Sequence, residues 1–188
     1  MFEVDYQAGI PKIESIEFDK KNKQAIAYVK VKNESFYLSF CFDILAEITL
    51  TFVDTAPLYV VNFSVRSKKY SLIELLNFIK IKPSSTQNGG KENDNSLNFE
   101  SYKKPGKLID KINYLLDILE GDKKGIKTLI KKTRNNVVWI SIVFYNGYGT
   151  FTDLYLPKKV IKRLSSLGLE VVFDIYAMPY AKKSQTLL

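Results

Sequence analysis

Along residues 1–56, apolar and polar positions alternate in short runs parted by polar turns, the period-two pattern of strands half-buried in a sheet. KIESIEFD and QAIAYVKVK flank the turn-like DKKNK, and ESFYLSFCF follows across the short link Asn33-Glu34. A fourth run lies near Ile48 to Val53, and together they predict an antiparallel β-meander. In the third strand Phe36, Leu38, Phe40 and Phe42 share one face while Tyr37, Ser39 and Cys41 take the other, so the phenylalanine face is expected to be core. DTAP breaks the pattern, and Pro57 favours an extended residue before it. The pattern places an N-terminal meander subdomain at 1–56, an α+β domain at 57–178 and a tail at 179–188.

Past the break, LYVVNFSV is an apolar strand. Ser71 is placed to cap SLIELLNFIK, in which Leu72, Leu75, Leu76 and Ile79 recur at helical spacing. KPSSTQNGGKENDNS has no apolar residue and is expected to be an exposed loop, with order resuming near Leu97. Pro105 precedes KLIDKINYLLDILE, whose Leu108, Ile109, Ile112, Leu115, Leu116 and Leu119 form a continuous stripe. After Gly121, GIKTLIKKTRN turns Ile126, Leu129 and Ile130 inward and sets Lys123, Lys127, Lys131, Lys132 and Arg134 outward. VVWISIVFYN is apolar on both alternating sets, which predicts a central strand buried on both faces with Trp139 in the core. Pro157 opens KKVIKRLSSLG, Gly168 can end it, and LEVVFDIYA closes the chain of elements. The predicted fold class is α+β: a ferredoxin-like layered α/β sandwich of order βαβαβαβ behind an N-terminal antiparallel β-meander.

Composition narrows the chemistry. A chain of 188 residues, 46% hydrophobic and 26% charged, is an ordinary globular protein able to bury a sizeable core without a staple or a structural metal. MFEVDYQ lacks the features of a secretion signal, so a cytoplasmic location is expected. The most apolar region, Phe36 to Val53, is interrupted by Asp43 and Glu47, so no membrane association is expected. The single cysteine, Cys41, excludes an internal disulfide and has no neighbouring cation to activate it. Zero histidines remove the usual general base, the usual activator of serine or cysteine and the commonest zinc ligand. Asp110 and Asp117 lie on a lysine-studded helix face, Asp117, Glu120 and Asp122 lack calcium-loop spacing, and the apolar neighbours of Asp174 suit a structural hydrogen bond. YNGYGTF carries no phosphate-loop pattern. No catalytic residue, cofactor or metal is therefore expected.

The net charge of +8 is unevenly spread: residues 1–57 carry six basic and nine acidic side chains, a net of −3, which leaves +11 for the rest.

Residues 58–178 resemble a known bacterial family. An apolar strand leads to a helix ending in the Lys-Pro turn of IKIKPSS, then a long helix pair, then a strand, a Gly-bearing turn and a helix that ends in RLSSLGLEVVFDIYA. The stretch Leu164 to Tyr176 carries the resemblance most specifically, with its leucine-glycine-leucine turn and apolar strand ending in Asp-Ile-Tyr. The chain is similar here to domain of unknown function family 4279. It departs from that pattern at SLNFES, where such members usually carry a tryptophan strand. The resemblance brings no catalytic residues with it. It implies an immunity-like context, because small proteins of this kind resemble the cytosolic partners of polymorphic toxins used in contact-dependent growth inhibition.

Two functions follow as expectations. The first is a non-enzymatic immunity protein that neutralises a cognate toxin by direct binding, with Tyr145, Tyr148 and Tyr155 as aromatic anchors. The alternative is a nucleic-acid-binding protein that uses the basic face of Lys123, Lys127, Lys131, Lys132 and Arg134, with help from Lys158, Lys159, Lys162 and Arg163.

Overall fold

Turn-forming residues set the ends of the elements. The structure, a computed structural model, describes residues 3–34, 36–89, 94–145 and 154–178, without the side chains of Tyr145, Ala177 and Met178. In chain order the elements are β1 (Tyr6–Gln7), β2 (Ile10–Pro11), β3 (Ile13–Asp19), β4 (Gln24–Lys30), β5 (Tyr37–Ile44), β6 (Ile48–Ala56), β7 (Leu58–Ser67), α1 (Leu72–Asn77), β8 (Ser85–Gln87), β9 (Asn95–Glu100), α2 (Leu108–Glu120), α3 (Lys123–Thr133), β10 (Val137–Tyr145), α4 (Lys158–Leu167) and β11 (Glu170–Met178). They divide into two compact units: Met1–Leu58 with Ile142–Leu154 and Ile175–Leu188, and Tyr59–Ser141 with Tyr155–Asp174.

The first unit is built on the expected meander, a four-stranded antiparallel sheet of order β3-β4-β5-β6, with β1 and β2 forming a small hairpin of their own. Asp19 closes the β3–β4 turn: its carboxylate accepts from the amides of Lys21 and Asn22 at 3.0 and 3.1 Å. Register puts Phe40 opposite Ala27 and Val53, and Phe42 opposite Ala25 and Leu50. The large rings flank small residues, so Ala25 and Ala27 are buried while Leu38, Phe40 and Phe42 stay half-exposed. Of the face expected to be core, Phe36 is buried as expected while Leu38, Phe40 and Phe42 are only half-buried, and on the alternate set Cys41 is buried.

The second unit carries a five-stranded sheet of order β11-β10-β7-β9-β8, and the helices pack on one of its faces. β7 and β9 are antiparallel, with Phe63 opposite Phe99 and their rings stacked at 6.0 Å. Val61, Phe63, Val65, Leu97, Phe99, Val138 and Ile140 of the strands are buried, as are Leu75 of α1, the leucine stripe of α2, Ile126 and Leu129 of α3, and Val160, Leu164 and Leu167 of α4. Each of these fully buried aliphatic or aromatic side chains stabilises the fold by roughly 1.5–3 kcal/mol relative to exposure.

Local signals seat the helices. Ser71 and Glu74 form a reciprocal capping box at the start of α1, as the Ser71 cap predicts. Gly168 ends α4 at φ 77°, with Leu169 N–H returning to the Leu164 carbonyl at 3.0 Å. Arg163 of α4 then ties the layer together: its guanidinium donates to Glu120 at 3.0 and 2.8 Å, to Asn113 at 2.9 Å and to Asp117 at 2.5 Å.

Three expectations give way. The polar stretch after Lys82 is not all loop, because Ser85–Gln87 adds the edge strand β8 by pairing with β9. β8 enlarges the strand content, and the second helical segment divides into α2 and α3, so the mixed α+β class stands while the layout is richer than βαβαβαβ. Strand β10 is buried on one face only: Val138 and Ile140 are covered, whereas Trp139 is 44% exposed. The alternate set, Val137, Trp139, Ser141 and Val143, has no buried member.

Among the described residues, no helix is long and apolar enough to cross a membrane.

Candidate functional site

Three surfaces carry side chains that the fold does not consume. The first is the outer face of α3. Ile126 and Leu129 turn inward, which leaves two rows outward: Lys123, Lys127 and Lys131, and beside them Lys124, Thr128 and Lys132. All five lysines are exposed, and among the described residues none is in an ion pair. The face is open, lined by one helix alone. Arg134 is exposed at its C-terminal end, where a left-handed φ of 61° turns the chain into β10. Of the additional cations expected to join this face, Lys158, Lys159 and Lys162 are exposed. Arg163 is not available: Glu120, Asp117 and Asn113 engage it, and its pKa is raised above the ordinary arginine value chiefly by the hydrogen bonds to Glu120.

The three tyrosine anchors do not form a described cluster. Tyr155 is 73% exposed. Tyr145 ends β10 with its side chain outside the described residues, and Tyr148 lies outside them altogether.

The second surface is strand β6, one edge of the meander. Along it Ile48, Leu50, Phe52 and Val53 are 74, 50, 54 and 47% exposed, and the strand contains neither lysine nor proline. The other edge, β3, shows Ile16 and Phe18 but intersperses Glu14, Glu17 and Asp19.

The third surface is the face of the five-stranded sheet opposite the helices. Alternation along β7 sends Val61, Phe63 and Val65 to the helices and Asn62, Ser64 and Arg66 to the open side. Register places Asn62 opposite Glu100, Ser64 opposite Asn98 and Arg66 opposite Ser96. A polar ladder crosses the strands: Ser64 Oγ lies 2.6 Å from Asn98 Oδ1, and Asn98 Nδ2 donates to Ser85 Oγ at 3.2 Å. Asn62, Ser64, Arg66, Asn135, Trp139 and Ser141 line a groove of about 410 Å³ on this face. Asn135 is locked in place by donating to the Arg66 and Thr133 carbonyls at 3.1 and 2.9 Å. None of these six was singled out from the sequence as a binding residue. The available signal was the alternation in VNFSVR, where polar residues at 62, 64 and 66 interrupt an otherwise apolar run.

A family model described as "Domain of unknown function (DUF4279)" matches residues 57–178, well over half of the chain. The chain belongs to the DUF4279 family. The groove, the lysine face of α3 and the whole α1–α4 layer therefore lie within the family domain, and strand β6 lies before it. No curated protein and no solved structure matches the chain.

Proposed function

We propose that this DUF4279 protein acts by binding rather than by catalysis, as an immunity protein that neutralises a cognate bacterial toxin through direct protein–protein contact in the cytoplasm. The observation that carries the reading is strand β6. Proteins that remain alone blunt their sheet edges with lysine, proline, bulges or short strands. Strand β6, Ile48–Ala56, has one bulge at Thr51 and one exposed carboxylate, Asp54, yet keeps four large apolar side chains exposed along the edge, which suits a partner that adds a strand or an apolar surface. The strand precedes the family domain, as a partner-specific addition would. The net charge of −3 over residues 1–57 complements a basic partner surface.

The test is co-expression with a toxin that arrests growth when produced alone. Growth should be restored and the two chains should copurify in fixed stoichiometry. Leu50→Lys and Phe52→Lys, both on the exposed strand, should abolish rescue while the far-ultraviolet dichroism stays native. Rescue that survives both substitutions sinks the role of β6, and purification with stoichiometric nucleic acid and no protein sinks the reading itself.

A second reading, nucleic-acid binding, is favoured by one observation: five α3 lysines share a face, and among the described residues no carboxylate pairs with them. Such binding should weaken with salt at a log-log slope of roughly −0.7 to −0.9 per phosphate contacted. Replacing Lys127 and Lys131 by alanine should flatten that slope by about two contacts; an unchanged slope excludes this face.

A further inference from the structure

We propose that the groove on the open face of the five-stranded sheet is a binding site for a nucleotide, with the base stacked on Trp139 and the phosphate held by Arg66. The site is independent of the toxin-binding reading: its residues lie in the family domain, whereas β6 lies before it.

The polar groups of the groove fall into two sets. One set is spent on the fold, since Ser64, Asn98 and Ser85 satisfy one another and Asn135 is committed through its amide nitrogen to Arg66 and Thr133 carbonyls. The other set is not. Among the described residues, the amide of Asn62, the guanidinium of Arg66, the indole N–H of Trp139 and the hydroxyl of Ser141 have no hydrogen-bond partner, and all four line the same groove. The neighbouring ladder shows that this sheet face can pair its own polar side chains. Four unpaired groups together at one place leave donors and acceptors for something else. The volume of about 410 Å³ falls within the roughly 300–1,000 Å³ typical of small-molecule sites.

Charge and shape select the ligand. No acidic residue lines the groove. The acid that register places on this face of β9 is Glu100, opposite Asn62, whereas Arg66 stands at the other end of the strand pair opposite Ser96. The guanidinium is therefore free to take an anion, and its fork geometry suits two oxygens of one phosphate or carboxylate. Trp139, 44% exposed on a rigid strand and locally surrounded by polar residues, offers a flat surface for stacking. A nucleotide joins a planar ring to an anionic group and brings hydrogen-bonding edges for Asn62 and Ser141 to meet. A neutral sugar would leave Arg66 unused, and a phosphorylated aliphatic side chain would leave Trp139 unused.

Trp139 is the only tryptophan in the chain, so its fluorescence reports on this groove directly. The full-length protein is titrated separately with AMP, GMP, CMP and UMP, with adenosine and inorganic phosphate alongside. At least one nucleotide should quench the emission saturably and bind about tenfold or more tightly than adenosine, the expected contribution of a charge-assisted contact. Arg66→Gln should bring that nucleotide down to the adenosine level. This variant should fold normally, because the backbone carbonyl of Arg66, and not its side chain, carries the structural bond to Asn135. Trp139→Phe, followed by calorimetry, should weaken binding while leaving the Arg66 dependence intact. Lys20→Ala, in the β3–β4 turn, should change nothing. The proposal is overturned by the absence of saturable binding up to millimolar concentrations, by nucleotide binding indifferent to Arg66→Gln, or by tighter binding of a neutral oligosaccharide. Tighter binding of a single-stranded oligonucleotide than of any mononucleotide would overturn the assignment of a free nucleotide.

Discussion

Gly125 should resist the substitution that ordinarily stabilises a helix. It lies in the first turn of α3, where replacing glycine by alanine normally gains about 1 kcal/mol through helix propensity. Here a Cβ would run into the carboxylate of Asp122 and come within 2.7 Å of the Phe78 carbonyl. That carboxylate has two jobs: it caps α3 by accepting from Gly125 N–H at 3.0 Å, and it accepts from Lys80 N–H at 2.6 Å, pinning the segment after α1 to the start of α3. Losing an N-cap costs about 1 kcal/mol, and losing a hydrogen bond to a charged group costs roughly 1.5–3 kcal/mol. Forcing a methyl group against a backbone carbonyl adds about 1–3 kcal/mol of overpacking. Because the carboxylate can keep one of its bonds when it moves, the net expectation after the propensity gain is a loss of about 2–4 kcal/mol, or a melting temperature lower by roughly 5–15 °C in a chain of this size. Circular dichroism melting of the wild type, Gly125→Ala, Asp122→Ala and the double variant measures it. In the Asp122→Ala background the clash with the carboxylate is gone while that with the Phe78 carbonyl remains, so the two effects should fall short of additivity by at least about 1 kcal/mol. A stabilised Gly125→Ala, or strict additivity, would refute the close packing inferred at this helix start.

Three further outcomes are expected. Arg163→Ala should destabilise by about 2–4 kcal/mol in urea unfolding, since it leaves Glu120 and Asn113 without their shared partner in a mostly covered network. Within that network Glu120→Gln should cost more than Asp117→Asn, because Asp117 is 71% exposed and Glu120 34%; equal losses would contradict this ranking. The Glu74 carboxyl, held ionised below its ordinary range by the backbone N–H and then the hydroxyl of Ser71, should titrate low by carbon NMR and return upward in Ser71→Ala. Its lowered folded value means that the capping box stabilises above the ordinary carboxylate range and fades as pH falls through the lowered value; a wild-type midpoint equal to that of Ser71→Ala would disprove the coupling. Cys41, buried at 5% exposure, should react with a thiol reagent only as fast as the meander opens, and native-state labelling at the rate of an unfolded peptide would show that β5 is not packed as described.

Local patterning carried most of the element assignments. Helical spacing and capping chemistry placed α2, α3 and α4 and the Ser71 and Gly168 boundaries, because those signals act over one or two turns of a chain. Period-two alternation likewise marked the four strands of the meander, and the motif around Leu164 to Tyr176 pointed to the family. The lysine face of α3 was legible for the same reason: five like charges on one helix face stay outside whatever packs beneath. What alternation cannot tell is which of two faces a layer will cover. The apolar run of β10 looked buried on both sides, yet the helices cover one side and leave Trp139 open. The phenylalanines of β5 looked like core, yet their cross-strand neighbours on β4 are alanines and the sheet shields them only in part. The polar groove was harder still to foresee, since Arg66, Trp139 and Asn135 are brought together only by the order in which β7, β9 and β10 join one sheet. Strand order is set by long-range pairing across dozens of residues, and it is there, rather than in any local run of sequence, that the grouping of Arg66, Asn135 and Trp139 is decided.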